Sequence, residues 1–116
     1  MRAIQPGDEE RRAVVQDKVP EHAMSGKEIC AVVVSFHPDP DFPARVNRIM
    51  REVDALVIVD NGSEEAALRM LAELSREPGV SLELNGENFG VARALNIGIR
   101  RARLLGYDWV LLLEAN

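Results

Sequence analysis

The stretch "EICAVVVSF", residues 28–36, decides the fold because it is a continuous apolar run rich in β-branched side chains. Such a run is typical of a strand that is buried on both faces, as in parallel sheets covered by helices on each side. The next residues, "HPDPD" at 37–41, contain two prolines and predict a loop. Residues 28–36 therefore predict a central strand of an α/β domain.

Three later segments continue this pattern towards the C-terminus. The run at 55–59 is apolar throughout, the run at 80–84 alternates apolar and polar residues as an edge strand does, and the last run is 109–113. Segments with a helical apolar period separate these strands. The alternation predicts a three-layer α/β/α sandwich, with a mostly parallel sheet of about four strands.

The three predicted helices have recognisable ends. Asp41 and Ser63 are the predicted N-caps of the first and second helices, since both side chains can accept a backbone hydrogen bond. The third helix is predicted from about Val91 to Leu104, with Gly106 at its C-terminal end. The residues of this helix that are predicted to face the sheet are Val91, Leu95, Ile99 and Ala102.

Residues 1–27 mix charged side chains with Gln, Gly, Pro and Ser and have no sustained period. They predict a mobile tail in front of a single domain at residues 28–116. The N-terminus lacks the layout of a secretory signal, so a cytoplasmic protein is expected. No apolar run approaches the roughly 20 residues that a membrane helix needs.

Charge and cysteine content exclude some functions. The net charge is −5, and residues 28–116 carry nine basic against fourteen acidic side chains. An acidic domain repels a phosphate backbone, which argues against nucleic acid as a partner. Cys30 is the single cysteine and lies in an apolar run, so it indicates packing, and no internal disulfide can form.

Polar residues follow each predicted strand, and ligands of open parallel sheets bind beyond the carboxyl ends of the strands. Asp60 could accept hydrogen bonds from a base or a ribose, although "DNGS" at 60–63 is equally good turn chemistry. Gly90 precedes a helix whose amides could meet phosphate, although Asn88 and Gly90 could simply shape a turn. Asn96 could likewise satisfy neighbouring backbone.

Missing motifs argue against several well-known kinds of site. The sequence contains neither G-x-G-x-x-G nor a P-loop motif, which argues against dinucleotide and P-loop sites. His37 is a lone imidazole in a proline-rich loop, and with His22 it cannot form a zinc ligand set. No catalytic residue is assigned.

Four motifs together resemble a known family. They are "AVVVSFHPD", "VIVDNGS", "ENFGVARALNIGI" and "GYDWVLLLEAN". In order and spacing they resemble the N-terminal nucleotide-binding half of the family 2 (GT-A fold, Rossmann-like) glycosyltransferases, and most of all the bacterial rhamnosyltransferase-like branch. The resemblance covers residues 28–116 and implies transfer of a sugar, such as rhamnose, from a nucleotide diphosphate donor of the UDP or dTDP type to a saccharide acceptor.

The resemblance also implies roles for individual residues at the strand ends. Ser35 and Phe36 after the first strand would read the base and ribose, together with Asp60 and its neighbours Asn61 and Gly62. The residues that would frame the nucleotide pocket are Asn88, Gly90 and Asn96. Glu114 would touch the ribose, and Asn116 would hold a divalent cation, Mg or Mn.

The end of the chain departs from the family pattern. The family's Asp-x-Asp element aligns with Glu114-Ala115-Asn116, where Asn116 offers a neutral carbonyl oxygen. Because hard dications prefer charged oxygen, cation binding is expected to be weak or lost. The family's acceptor half and catalytic base lie beyond residue 116. A truncated glycosyltransferase that is inactive alone is therefore expected.

Two alternatives remain open at this point. One is a non-catalytic α/β domain that binds a nucleotide or a partner protein through the same strand ends. The other is a structural domain without a ligand. In either case a last strand left exposed at the sheet edge predicts self-association.

Overall fold

The computed structural model describes residues 2–4 and 29–114, which form five strands and three helices. The elements in chain order are β1 (Arg2–Ile4), β2 (Ile29–Ser35), α1 (Phe42–Met50), β3 (Ala55–Asp60), α2 (Glu65–Leu74), β4 (Val80–Leu84), α3 (Val91–Leu104) and β5 (Trp109–Glu114). Within this part of the chain, no helix is long and apolar enough to span a bilayer.

The strands form one sheet in the order β1-β5-β2-β3-β4. β2, β3, β4 and β5 run parallel to one another, and β1 is antiparallel to β5. This confirms the predicted α/β fold and the position of β4 at an edge. The chain runs outwards from β2 to β4 and then returns to place β5 on the other side of β2. The strand order therefore reverses between β2 and β5.

Helices cover both faces of the sheet, which confirms the three layers. Successive strand residues point to opposite faces. The face covered by α1 and α2 carries Ala31, Val33 and Ile58, packed around Phe42 and Leu71. The opposite face is covered by α3, and its buried residues are Cys30, Val32, Ala55, Val57, Val59, Ala94, Ile99, Ala102, Val110 and Leu112.

Helix α3 lies very close to the sheet. A Cβ atom on Gly98 would lie 2.3 Å from Val32 Cγ1. The prediction that Val91 faces the sheet is wrong, because Val91 is 63% exposed whereas Ala94 and Gly98 are buried. The prediction followed the large apolar side chains, but a helix this close to the strands presents small residues. Ile99 and Ala102 are buried as predicted.

The predicted N-caps are corrected in part. α2 has Glu64 at its N-cap position without a side-chain cap bond, so the prediction for Ser63 is wrong. The Ser63 hydroxyl instead donates to the Asp60 carboxylate and accepts from the His37 amide. Asp41 is at the N-cap position of α1, but its side chain makes no cap bond. Gly106 follows Leu105, the C-cap residue of α3, and has φ of 89°, the left-handed conformation typical of a glycine at a helix end.

The last strand is not at the sheet edge. β1 pairs with it from Arg2 opposite Leu112 to Ile4 opposite Val110. The prediction that an exposed last strand drives self-association is therefore wrong in its premise, because β5 has a neighbour on each side. β1 also falls inside the segment predicted to be a tail. Residues 5–28 lie outside the described residues.

Candidate functional site at the carboxyl edge of the sheet

The carboxyl ends of the parallel strands meet at one edge of the sheet. Ser35 is paired with Asp60, and Asp60 with Leu84. The pairing continues past the strands, because the Asn61 amide donates to the Ser35 carbonyl at 2.9 Å and the Asn85 amide donates to the Asp60 carbonyl at 2.9 Å. Hydrogen bonding thus holds the first residue after β3 against the end of β2, and the first residue after β4 against the end of β3.

An exposed aromatic side chain lies at the point where the strand order reverses. Phe36 directly follows β2 and is 43% exposed, and its ring centroid is 4.1 Å from that of His37. β5 ends next to β2, with Glu114 paired with Val34. In open α/β sheets the crevice at such a reversal is the usual ligand site. Phe36 therefore lies where a ligand is expected.

Asp60 is a buried hub that joins three parts of the chain. It is 1% exposed. Its Oδ1 accepts hydrogen bonds from the Ser63 hydroxyl and, at 2.8 Å, from the Ser35 hydroxyl. Its Oδ2 accepts from the Gly62 amide at 3.2 Å and the Ser63 amide at 2.8 Å. These donors match the roughly four lone-pair sites of a carboxylate. Asp60 therefore connects the end of β2 to the turn that precedes α2.

Asn61 is a second buried hub and serves a different loop. It is 2% exposed. Its Oδ1 accepts from Asn85 Nδ2 at 2.8 Å and from the Phe89 amide at 3.4 Å, and its Nδ2 donates to the Gly90 carbonyl at 3.2 Å. Asp60 and Asn61 are adjacent, but their side chains bond to different loops. One residue anchors the loop before α2, and the other anchors the loop before α3.

The loop before α3 also packs against Gly62. Gly62 has φ of 89°, and a Cβ atom there would lie 2.9 Å from the Cα of Glu87. Asn88 is exposed, and its Oδ1 accepts from the Gly90 amide at 2.8 Å, which closes a local turn. Gly90 has φ of 85° and is the N-cap residue of α3. Asn88 and Gly90 thus do shape a turn.

The remaining predicted site residues are less closely connected. Asn96 lies on the exposed side of α3, as do Arg93 and Arg100. The Arg93 guanidinium stacks over the Phe89 ring at 4.2 Å from its centroid. Glu114 closes β5, but its side chain and residues 115–116, which include Asn116, lie outside the described residues. Among the described residues, no group of three or more His, Cys, Asp or Glu side chains could hold a metal ion.

His37 belongs to this edge although the sequence indicated no role for it. It has φ of 49°, a value that non-glycine residues rarely adopt. Its amide donates to Ser63 Oγ at 2.8 Å, and its Nδ1 accepts from the Glu64 amide at 3.3 Å. His37 and Ser63 are 26 positions apart, and no local motif links them. The pairing depends on the parallel alignment of β2 with β3.

Titration behaviour separates the core from the loops. Burial raises the pKa of the Cys30 thiol to about 12, so the thiol stays protonated. This agrees with the packing role indicated by the sequence. In the loop after β2, a hydrogen bond from Arg45 lowers the pKa of the Asp39 carboxyl. The two side chains also form an ion pair, with Arg45 Nη1 3.1 Å from Asp39 Oδ1. This pair connects the loop to α1.

The match to a protein family covers the whole of this edge. The model of the family described as Glycosyl transferase family 2 matches residues 31–115. The chain belongs to glycosyl transferase family 2. The family match begins within β2 and extends past β5, so it includes Phe36, both buried hubs and the loop before α3. No curated protein matches the chain.

Proposed function

We propose that the carboxyl edge of the sheet binds the nucleoside diphosphate part of a sugar-nucleotide donor, and that the domain serves sugar transfer. The observation that carries this proposal is the distribution of buried polar side chains. Among the described residues, those that are polar and buried are Ser35, Asp60, Asn61 and Ser63. All of them lie at this one edge. Burying polar groups is costly unless each is hydrogen-bonded, so the edge is an ordered and specific structure.

The predicted site residues divide into two groups by exposure. Ser35, Asp60, Asn61 and Gly62 hold the loops in place through contacts within the chain. The exposed group, which a ligand can reach, is Phe36, Asn88, Gly90 and Asn96. We assign direct contacts with the nucleotide to this exposed group and to Glu114 at the end of β5.

The proposed chemistry is displacement at the anomeric carbon of the donor sugar. An acceptor hydroxyl forms the new carbon–oxygen bond, its proton passes to a base, and the bond to the nucleoside diphosphate breaks. A divalent cation, when bound, stabilises the charge that develops on the departing diphosphate. The residue proposed to hold it is Asn116. We expect weak Mg or Mn binding, because Asn116 supplies a neutral oxygen.

The motif resemblance supports a narrower donor class. We propose a donor of the UDP or dTDP type, with rhamnose as a candidate sugar, because the four strand-end motifs are most similar to those of rhamnosyltransferase-like members. The neutral Asn116 favours a second candidate function, in which the domain binds a nucleotide or a partner protein and transfers no sugar. We expect the 116-residue chain alone to transfer no sugar, so release of UDP or dTDP from the sugar nucleotide in the presence of an acceptor would contradict the second candidate function.

Calorimetric titration of the full 116-residue chain with UDP and dTDP, with and without manganese, tests the proposal. We expect saturable binding of at least one nucleotide, with a small effect of manganese. Phe36→Ala should weaken the binding, because it removes the exposed ring at the reversal of strand order. Leu104→Ala is the matched control, since Leu104 is 79% exposed at the far end of α3. Absence of binding to both nucleotides at millimolar concentration would support the ligand-free structural domain instead.

A further inference from the structure

We infer that Asp60 is a positioning residue, which acts through Ser63 and His37 to fix Phe36 where it can stack on a nucleoside base. This inference rests on the proposed nucleotide-binding function and goes beyond it. It assigns Asp60 an indirect role instead of a contact with the base or ribose. It also gives functions to Ser63 and His37, to which the sequence motifs assign none.

The first step is that Asp60 fixes Ser63. Both the amide and the hydroxyl of Ser63 donate to the Asp60 carboxylate, one to each oxygen. A hydroxyl has a single proton, and hydrogen bonds to a carboxylate are stronger than those between neutral groups. The Ser63 oxygen therefore keeps its lone pairs available as acceptors. Asp60 sets both the place and the direction of this acceptor.

The second step is that Ser63 fixes His37. The His37 amide donates to Ser63 Oγ at 2.8 Å, and the Glu64 amide donates to His37 Nδ1 at 3.3 Å. His37 is in the left-handed region, with φ of 49°, which costs a non-glycine residue about 1 kcal/mol. The two hydrogen bonds hold the residue in this conformation. Without them the chain after β2 would relax to the ordinary negative φ.

The third step is that His37 determines where Phe36 lies. The two residues are adjacent, and their rings are in contact at a centroid distance of 4.1 Å and an interplanar angle of 50°. Phe36 keeps 43% of its surface exposed beside the reversal of strand order. Stacking of a base on an aromatic ring contributes about 1–3 kcal/mol. A rotation of the backbone at His37 would take its ring away from the Phe36 ring, which would then lose the contact that holds it in this position.

Asp60 is poorly placed to contact a base itself. It is 1% exposed, and its two oxygens already accept from two hydroxyls and two amides. A base N–H could bind only by displacing one of these donors. The inference therefore predicts that the N3–H group of uracil is not read by Asp60. A UDP analogue methylated at N3 separates the direct role from the indirect one.

The test uses Ser63→Ala, Ser63→Thr and a matched control, Ser75→Ala. Ser75 is the C-cap residue of α2, at the end of the helix opposite to Ser63. Its hydroxyl donates to the Ala72 carbonyl at 2.8 Å. We expect Ser63→Ala to weaken UDP binding about tenfold, which is the loss of one stacking contact. Ser63→Thr keeps a hydroxyl and should restore binding. Ser75→Ala should bind UDP as the natural chain does.

Two further readouts distinguish positioning from simple loss of structure. The hydrogen-exchange rate of the His37 amide, measured by NMR, should rise in Ser63→Ala and return to the natural value in Ser63→Thr. N3-methyl UDP should bind the natural chain within about twofold of UDP, because stacking does not use the N3–H group. If Ser63→Ala fails to fold, the comparison of UDP with N3-methyl UDP on the natural chain still tests the indirect role of Asp60, and Phe36→Leu tests separately whether the aromatic face contributes to binding.

The outcomes separate the inference from the function on which it rests. If UDP binds but N3-methyl UDP does not, and Ser63→Ala binds UDP as the natural chain does, the base is read through its N3–H group and not through a positioned Phe36 ring, so the inference is wrong while the proposed function stands. If Ser63→Ala raises the exchange rate of the His37 amide without weakening UDP binding, UDP affinity does not depend on the hydrogen bond between Ser63 and His37, and the inference also fails. If neither UDP nor dTDP binds the natural chain, both proposals fail together.

Discussion

The two ends of β3 each have an aspartate, and the two aspartates do different work. Asp54 precedes the strand, is partly buried, and its Oδ2 accepts from the Ile29 amide at 3.0 Å. Its own amide donates to the Ile29 carbonyl at 3.0 Å. Asp60 ends the strand and accepts from two hydroxyls and two amides while fully buried. The first aspartate connects the starts of two strands, and the second organises the loops beyond their ends.

This difference shows that the buried polar side chains of the described residues are concentrated at the carboxyl edge of the sheet. At the amino edge, backbone turns and an accessible carboxylate close the connections. At the carboxyl edge, the chain encloses polar side chains that are stable only when their hydrogen bonds are complete. Such an arrangement keeps loops in one conformation, which is what a binding site requires.

Asp60→Ala should be the most damaging change at either end of β3. It leaves two buried hydroxyls and two amides without their acceptor, and each unsatisfied buried group costs about 1–3 kcal/mol. We expect the free energy of unfolding to fall by about 3 kcal/mol or more, and nucleotide binding to be lost with it. Urea denaturation of the variant measures this. A loss below about 1 kcal/mol would show that the hub is not essential to the edge.

Gly62→Ala should have the next largest effect. The residue has φ of 89°, and the new Cβ would lie 2.9 Å from the Glu87 Cα. We expect a loss of about 1–3 kcal/mol and faster amide exchange in the loop at 85–90. Gly106→Ala is the matched control, because Gly106 also has φ of 89° but a Cβ there meets nothing within 4 Å. Equal losses in the two variants would mean that the contact with Glu87 contributes nothing.

Asp54→Asn should have a smaller effect and should leave the site intact. The substitution weakens one charge-assisted hydrogen bond to the Ile29 amide, for which we expect a loss of about 1 kcal/mol. UDP affinity should remain at the natural value, since the change is at the amino edge. Thermal unfolding and a UDP titration of the same sample measure both quantities. A fall in UDP affinity would show that the two edges are coupled.

The smallest effect concerns the exposed pair of Asp39 and Arg45. A hydrogen bond from Arg45 lowers the pKa of Asp39 in the folded chain. The stability that this pair contributes is therefore fully present above the pKa that Asp39 has in the unfolded chain, about 4. It is lost as the pH falls through the lowered pKa that Asp39 has in the folded chain. Arg45→Gln should return the Asp39 pKa towards its ordinary value in an NMR titration. An unchanged pKa would assign the shift to the neighbouring backbone amides.

Much of the fold follows from local pattern. The apolar runs at β2, β3 and β5 and the alternating run at β4 predict the strands, because burial on two faces or one leaves a direct mark on the sequence. The ends of the helices are predicted less well. Serine is a common N-cap residue, but the hydroxyl and amide of Ser63 donate instead to the buried Asp60 carboxylate. Val91 is large and apolar, yet α3 approaches the sheet through Gly98.

The sequence by itself determined the class of the domain, the order of its helices and strands, and the set of polar residues at the strand ends. Only the tertiary structure decided that β5 lies between β2 and β1. It also decided that Asp60, Ser63 and His37 form one hydrogen-bonded chain. The reason is physical. Hydrophobic period and turn chemistry act over a few neighbouring residues, whereas Ser35 and Asp60 are 25 positions apart and meet only because two strands align in parallel.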